Sequence, residues 1–197
     1  MSMHRRNFLK SAALVVPVTG MHELLAGTAS AQMHPAAPTP EIHVVPAGQD
    51  RLGTPRTRGF DSLAFKVLTA DTGGELFVIE HTHMVPGGPP LHLHLYQDEW
   101  FYVMGGEVAF QVGDKRVQLK PGESVLGPRR TPHAFSSVAP QSHMLIAFTP
   151  AGMMEKFFND SASDLKLAQT ADFMDRYEMK WLGPSPFWTK TASHSNS

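Results

Sequence analysis

The chain of 197 residues contains no cysteine. That excludes a disulfide framework and any thiolate, whether as metal ligand or as nucleophile. An excess of charge is missing too: 17 basic and 18 acidic residues nearly cancel. Neither a nucleic acid nor a strongly anionic partner finds its counterpart in such a chain. Long apolar runs are absent. The best stretch, residues 11–18, is short and is interrupted by Pro17 and Gly20, so no permanent membrane span is expected. What the chain does have is turn chemistry and imidazole, with 16 Gly, 16 Pro and 11 His. With 18% charged and 9% aromatic residues it reads as a folded protein. Its length allows one domain with a full core, or at most two small ones.

The first 31 residues read as a removable leader. His4, Arg5, Arg6 and Lys10 form a charged start, a moderately apolar run follows, and Ala29, Ser30 and Ala31 precede Gln32 as a small-x-small cleavage site. The core Arg5, Arg6, Phe8, Leu9, Lys10 closely resembles a twin-arginine export signal. That resemblance implies export of already folded cargo, hence a periplasmic protein with no membrane attachment once the signal is removed. Its loss takes away three basic residues and one acidic residue, leaving a formal charge of −3. Residues 32–61, with Pro35, Pro38, Pro40, Pro46 and Pro55, read as a Pro-rich arm holding one short extended piece at 42–45.

From residue 62 the texture changes to short apolar runs with Gly or Pro between them. Strands are expected over 63–68, 75–84, 99–104, 107–112, 115–119, 124–126, 133–138 and 143–148. No stretch between 62 and 149 has helical periodicity, so the expectation is an all-β sandwich or barrel. After residue 150 the pattern shifts. Met153, Met154, Phe157 and Phe158 predict a short amphipathic helix over 152–159, and Asp172 predicts an N-cap for a second helix over 173–180, ended by Gly183 and Pro184. These helices would close over the barrel, their Met and Phe side chains packing as core, with the lining of a ligand pocket as the rival reading. Residues 189–197 read as a tail.

The chemistry concentrates in Pro89, Pro90, Leu91, His92, Leu93, His94 and, five residues on, Glu99. Side chains alternate along a strand, so His92 and His94 share a face. The odd offset to Glu99 requires a turn between, near Gln97 and Asp98, for the carboxylate to rejoin the imidazoles. His133, in a segment opened by Gly122 and Pro128, is the candidate fourth ligand. Three imidazoles and a carboxylate suit one divalent transition metal, and ligand type alone does not choose among Fe, Mn, Co, Ni, Cu and Zn.

Together the two stretches resemble the cupin superfamily, whose two motifs flank a metal inside a small β-barrel. His92, His94, Glu99 and Gly106 match the first motif, and Gly122, Pro128 and His133 the second. The resemblance covers roughly residues 62–149 and implies a single jelly-roll (double-stranded β-helix) barrel with short C-terminal helices over 150–197. Three positions depart from the pattern. The glycine expected six residues before His92 is displaced to Gly87, Arg130 stands where glycine is usual, and Ser137 where asparagine is usual.

Within cupins, Gly88 to His94 with Asp98 to Val103 looks most like the quercetin 2,3-dioxygenase-like members. That implies a metal held by His92, His94, Glu99 and His133, with Glu99 also accepting the hydroxyl proton of an enolic or phenolic small molecule that then meets dioxygen. Export after folding would shield the site from periplasmic copper and zinc, which favours Mn or Fe. The rival readings are a periplasmic metal-dependent binding or sensing module and a metal-dependent isomerase or decarboxylase, because one fold hosts many functions. His81 and His83 share a strand face with no carboxylate at the needed distance, and are expected at solvent or rim positions. His143 is expected to be structural. Arg129 reads as a solvated loop charge. Arg130 reads either as another or as a lure at the barrel mouth for an anionic substrate. Phe101, Val103, Phe110 and Phe135 are expected in the core or on the pocket wall. A lone short barrel leaves edges to cover, so a homodimer is the expected assembly.

Overall fold

In the computed structural model the described residues are 42–188 except 163. The expected export signal, the first part of the arm and the tail at 189–197 therefore lie outside them. Eleven strands are present among the described residues: β1 (Arg56–Arg58), β2 (Asp61–Val67), β3 (Phe77–Met84), β4 (Leu91–His94), β5 (Asp98–Gly105), β6 (Val108–Val112), β7 (Lys115–Leu119), β8 (Ser124–Gly127), β9 (His133–Ser137), β10 (Ser142–Thr149) and β11 (Met179–Gly183). Three short helices, α1 (Met154–Asp160), α2 (Leu165–Ala168) and α3 (Ala171–Asp175), lie between β10 and β11. None is long and apolar enough to cross a membrane.

The strands form two antiparallel sheets, one ordered β1-β2-β3-β10-β5-β8 and the other β11-β4-β9-β6-β7. From β3 onward every consecutive pair of strands except β6–β7 crosses from one sheet to the other, the jelly-roll winding that the motif resemblance implies. Inward positions recur with period two, as in Phe77, Ile79 and His81 of β3 or Phe101 and Val103 of β5. Their rings fill the space between sheets: Phe101 lies 5.1 Å from Phe110 and 5.6 Å from Phe135. Phe77 meets Phe65 edge-on at 4.9 Å. One end is closed by α1, whose Phe158 packs 5.8 Å from Phe148 of β10.

Local chemistry moves several boundaries. β3 starts at Phe77 rather than residue 75, because Gly73 and Gly74 hold positive φ and the Thr72 hydroxyl accepts from the Leu76 amide at 2.8 Å. A three-residue strand, β1, lies in the stretch read as an arm and pairs with β2. The larger correction concerns the second C-terminal helix. It runs only over Ala171–Asp175, and its N-cap is Thr170, whose hydroxyl accepts from the Phe173 amide, rather than Asp172. It ends in a turn over 176–178, where Arg176 is the C-cap and Glu178 adopts φ +62°. That left-handed residue is fixed by its carbonyl, which accepts from the Leu95 amide at 2.8 Å, and by its carboxylate, which accepts from Gln97 Nε2 at 2.6 Å. Beyond it, Met179 to Gly183 becomes β11 and pairs with β4, Met179 opposite His94 and Trp181 opposite His92. The free edge of the histidine strand is thereby covered.

Candidate metal centre

β4 presents His92 and His94 inward, both buried, while Leu91 and Leu93 are half-buried on the other side. The chain bends at residues 95–96 and passes from one sheet to the other. Glu99, the second residue of β5, therefore rejoins the histidines from the facing sheet despite its odd offset. His133 opens β9 directly across the ladder from His92. All four side chains are buried, and one potential ligand atom from each lies within 4.8 Å of all the others. The structure thus brings the four sequence-predicted ligands together.

The hydrogen bonds orient the rings. His92 Nδ1 lies 2.9 Å from the Pro90 carbonyl and His133 Nδ1 2.9 Å from the Thr131 carbonyl. A carbonyl only accepts, so each Nδ1 carries the proton and each Nε2 is turned to the cluster. Glu99 Oε2 stands 2.7 Å from His133 Nε2 and 3.0 Å from His94 Nε2. The second approach lacks hydrogen-bond alignment, and neither ring nitrogen of His94 has a hydrogen-bond partner among the described residues. A fully buried imidazole left this way costs free energy unless something else engages it.

The electrostatics agree. Burial, together with the neighbouring imidazoles, pushes His92 down to about 3, and burial lowers His94 as well. Burial would raise the Glu99 carboxyl, but the His133 hydrogen bond and the charge of His133 and His94 outweigh it and hold Glu99 below the usual carboxylate range. For His133, burial is outweighed by Glu99, which raises it. The raised His133 and lowered Glu99 match an imidazolium paired with a carboxylate, and metal uptake would release that proton. No Lys or Arg among the described residues pairs with Glu99. Three imidazole nitrogens and one carboxylate oxygen, buried and lacking any other cation, fit a divalent transition metal.

Beside the cluster is a cavity of ≈ 70 Å³, reached by His92, His94 and Glu99 and otherwise walled mainly by apolar side chains such as Phe135, Ile146 and Phe148. Met154, Phe157 and Phe158 of α1 also line it, so the Met and Phe stripe read as core packing is cavity wall as well. Of the expected wall residues Phe135 lines the cavity. Phe101, Val103 and Phe110 are core, with Phe101 packed 6.0 Å from the His133 ring.

Loop residues hold the ligand strands in place. Asp98, next to Glu99, accepts from the Arg129 amide at 2.8 Å, from Nε at 3.0 Å and from Nη2 at 2.8 Å. That fork ties β5 to the loop before His133. Arg129 is exposed, as expected of a solvated loop charge, and its pairing with Asp98 makes it a surface clamp as well. Arg130 takes φ +63° in the place where glycine is usual, and its amide donates to the His94 carbonyl at 2.7 Å. The positive φ that the motif requires is thus met by a non-glycine residue held by that bond. His143 pairs with Glu80 at 2.6 Å, a structural contact. His83 is exposed as expected. His81 is not: it is 3% exposed, lies 2.6 Å from Asp61 and lines the cavity.

Compared with known proteins, residues 80–149 match the cupin domain family. No curated protein matches the chain. Among solved structures it is similar to an RmlC-like cupin from Shewanella frigidimarina, at 18% identity over 56% of this chain and 93% of that one, with a TM-score of 0.48. It is similar also to KdgF from Halomonas, at 19% identity over 46% and 79% of the two chains, with a TM-score of 0.41. A third is the oxalate decarboxylase of Lactobacillus farciminis, at 16% identity over 49% and 31%, with a TM-score of 0.43.

Proposed function

We propose that this barrel, a cupin by fold and by the match over residues 80–149, is a metal-dependent oxygenase of a small enolic molecule, related in its motif to quercetin 2,3-dioxygenase-like proteins. The observation that carries the reading is the buried His92, His94, Glu99 and His133 cluster opening on an apolar cavity. A divalent metal there, Mn or Fe by preference, would acidify a substrate hydroxyl and bring the substrate together with dioxygen. His92, His94 and His133 would hold it through nitrogens whose orientation is already set for His92 and His133. Glu99, kept ionised, is both ligand and the group that accepts the hydroxyl proton. The apolar wall excludes water and strengthens each of these contacts.

Cavity size narrows the substrate. An apolar cavity known to admit benzene measures about 150 Å³, roughly twice the ≈ 70 Å³ present. Small enols fit better than phenols, and a ring-sized guest needs the α1–α3 cover to move. Export by the twin-arginine route to the periplasm belongs to the same proposal.

The test is dioxygen uptake by Mn- or Fe-loaded protein with malondialdehyde, an enol smaller than benzene, as the probe, beside Glu99→Gln. Uptake by the wild type, with the variant keeping much of its metal but losing turnover, supports the reading. A fully active variant refutes the base assignment. Anaerobic turnover would move the assignment to an isomerase or decarboxylase, and tight binding without product to a binding module.

A further inference from the structure

The cavity has a second polar wall that takes no part in holding a metal. Asp61 opens β2 and His81 lies on the neighbouring β3; Nδ1 of His81 is 2.6 Å from Asp61 Oδ2, with side-chain exposures of 3% and 1%. Both residues line the same cavity as His92, His94 and Glu99. Phe135 packs edge-on against the imidazole at 5.8 Å. Among the described residues His81 Nε2 has no hydrogen-bond partner at all. A buried ring nitrogen facing a cavity without a partner costs free energy that an occupant can recover. The 2.6 Å approach of Nδ1 to Asp61 Oδ2 is out of hydrogen-bond alignment, so Asp61 acts on the ring through its charge. A carboxylate beside Nδ1 favours the proton on that nitrogen, Nε2 then presents a lone pair, and its complement is a hydroxyl.

Register separates this pair from the ligand cluster. His81 stands opposite Met144 of β10, and Glu99 opposite Phe148. Four residues along one strand separate the backbones by roughly 13 Å, and the side chains converge from those two levels on one cavity of ≈ 70 Å³ with apolar wall between them. An occupant that satisfies both carries oxygen at one end, a short apolar body, and a separate hydroxyl.

We infer that His81, oriented by Asp61, is a specificity-determining residue that accepts a hydrogen bond from a hydroxyl of the cavity's ligand, distinct from the oxygens that face the four-residue cluster. The inference rests on the metal reading above, which supplies the anchor for the other end.

The test uses the full chain loaded with zinc, a diamagnetic ion suited to these donors, and ¹⁵N-labelled at histidine. Propionate and 3-hydroxypropionate are the probes, a matched pair differing by the distal hydroxyl. One zinc per chain, about fivefold tighter binding of the hydroxylated probe, and a shift of the His81 Nε2 resonance with that probe alone are the expected results. In the double variant Asp61→Val with His81→Leu, which leaves neither partner buried and unpaired, the preference disappears while zinc stays bound. Should that variant fail to fold, the wild-type Nε2 resonance decides. A chain that takes up no zinc overturns the metal reading and this inference with it. Zinc uptake with a resonance indifferent to the hydroxyl, or a preference that survives in the double variant, overturns this inference alone.

Discussion

Gly88 sits where the loop before β4 crosses the back of β9. A Cβ built there would lie 1.9 Å from the Phe135 carbonyl oxygen and 3.0 Å from its carbonyl carbon. Both obstructing atoms are backbone, so no rotamer change relieves the overlap, and either the loop or β9 must move by more than 1 Å. Overpacking typically costs about 1–3 kcal/mol, and a rigid neighbour places Gly88→Ala at the upper end. For a domain of this size about 3 kcal/mol corresponds to a loss of roughly 6–12 °C in Tm. Because His133 lies two residues before Phe135, the same displacement disturbs a proposed ligand, so metal content should fall with stability. Gly105→Ala is the control. Its Cβ would meet only His143 Cβ, at 3.5 Å, an ordinary contact, and its φ is not positive. That substitution should be neutral or stabilise by up to about 1 kcal/mol through the unfolded chain. Calorimetry and elemental analysis of the two variants read both effects. Unfolding temperatures within about 1 °C of each other would refute the close approach of the loop to β9.

Three further outcomes follow. The Arg129 fork holds the Asp98 carboxyl at about 2, below its ordinary value, so the folded state binds that proton less readily than the unfolded one. The stabilisation is full above about 3.9 and is lost as pH falls towards 2; the urea midpoints of wild type and Asp98→Asn should converge over that window, and a pH-independent gap would contradict the clamp. Met179→Ala, removing a side chain 1% exposed that lines the cavity, should cost at least about 2 kcal/mol in urea unfolding; a loss under about 0.5 kcal/mol would mean that β11 is not packed on β4. Chelation should lower Tm by roughly 5–10 °C, since a ligand at a hundred times its Kd contributes about 2.7 kcal/mol; identical melting with and without chelator would deny a structural share to any bound ion.

The metal-site candidates were legible because two signals coincided: period-two histidines in one stretch and a lone histidine behind Gly122 and Pro128. The strands were legible because Gly and Pro punctuate them. What stayed hidden depended on pairing across the chain. Met179 to Leu182 carries no helix breaker before Gly183, and only the left-handed Glu178, fixed by Leu95 and Gln97, turns it into an edge strand. His81 looked unsupported because its carboxylate, Asp61, precedes it by twenty residues and arrives through the β2–β3 pairing. A buried His with an Asp at the start of the preceding strand was the available signal, and it is too common to single out unaided. Arg130 shows the reverse case: the position announced positive φ, and the structure supplies it without glycine.

The account depends most on the proposal that His92, His94, Glu99 and His133 hold a metal. Elemental analysis of the wild-type chain, isolated after exposure to Mn and Fe and then desalted, tests it directly against His92→Ala/His94→Ala treated alike. One divalent ion per chain in the wild type and almost none in the double variant is the predicted result. A wild-type chain without a stoichiometric ion, or a double variant that retains it, would contradict the account.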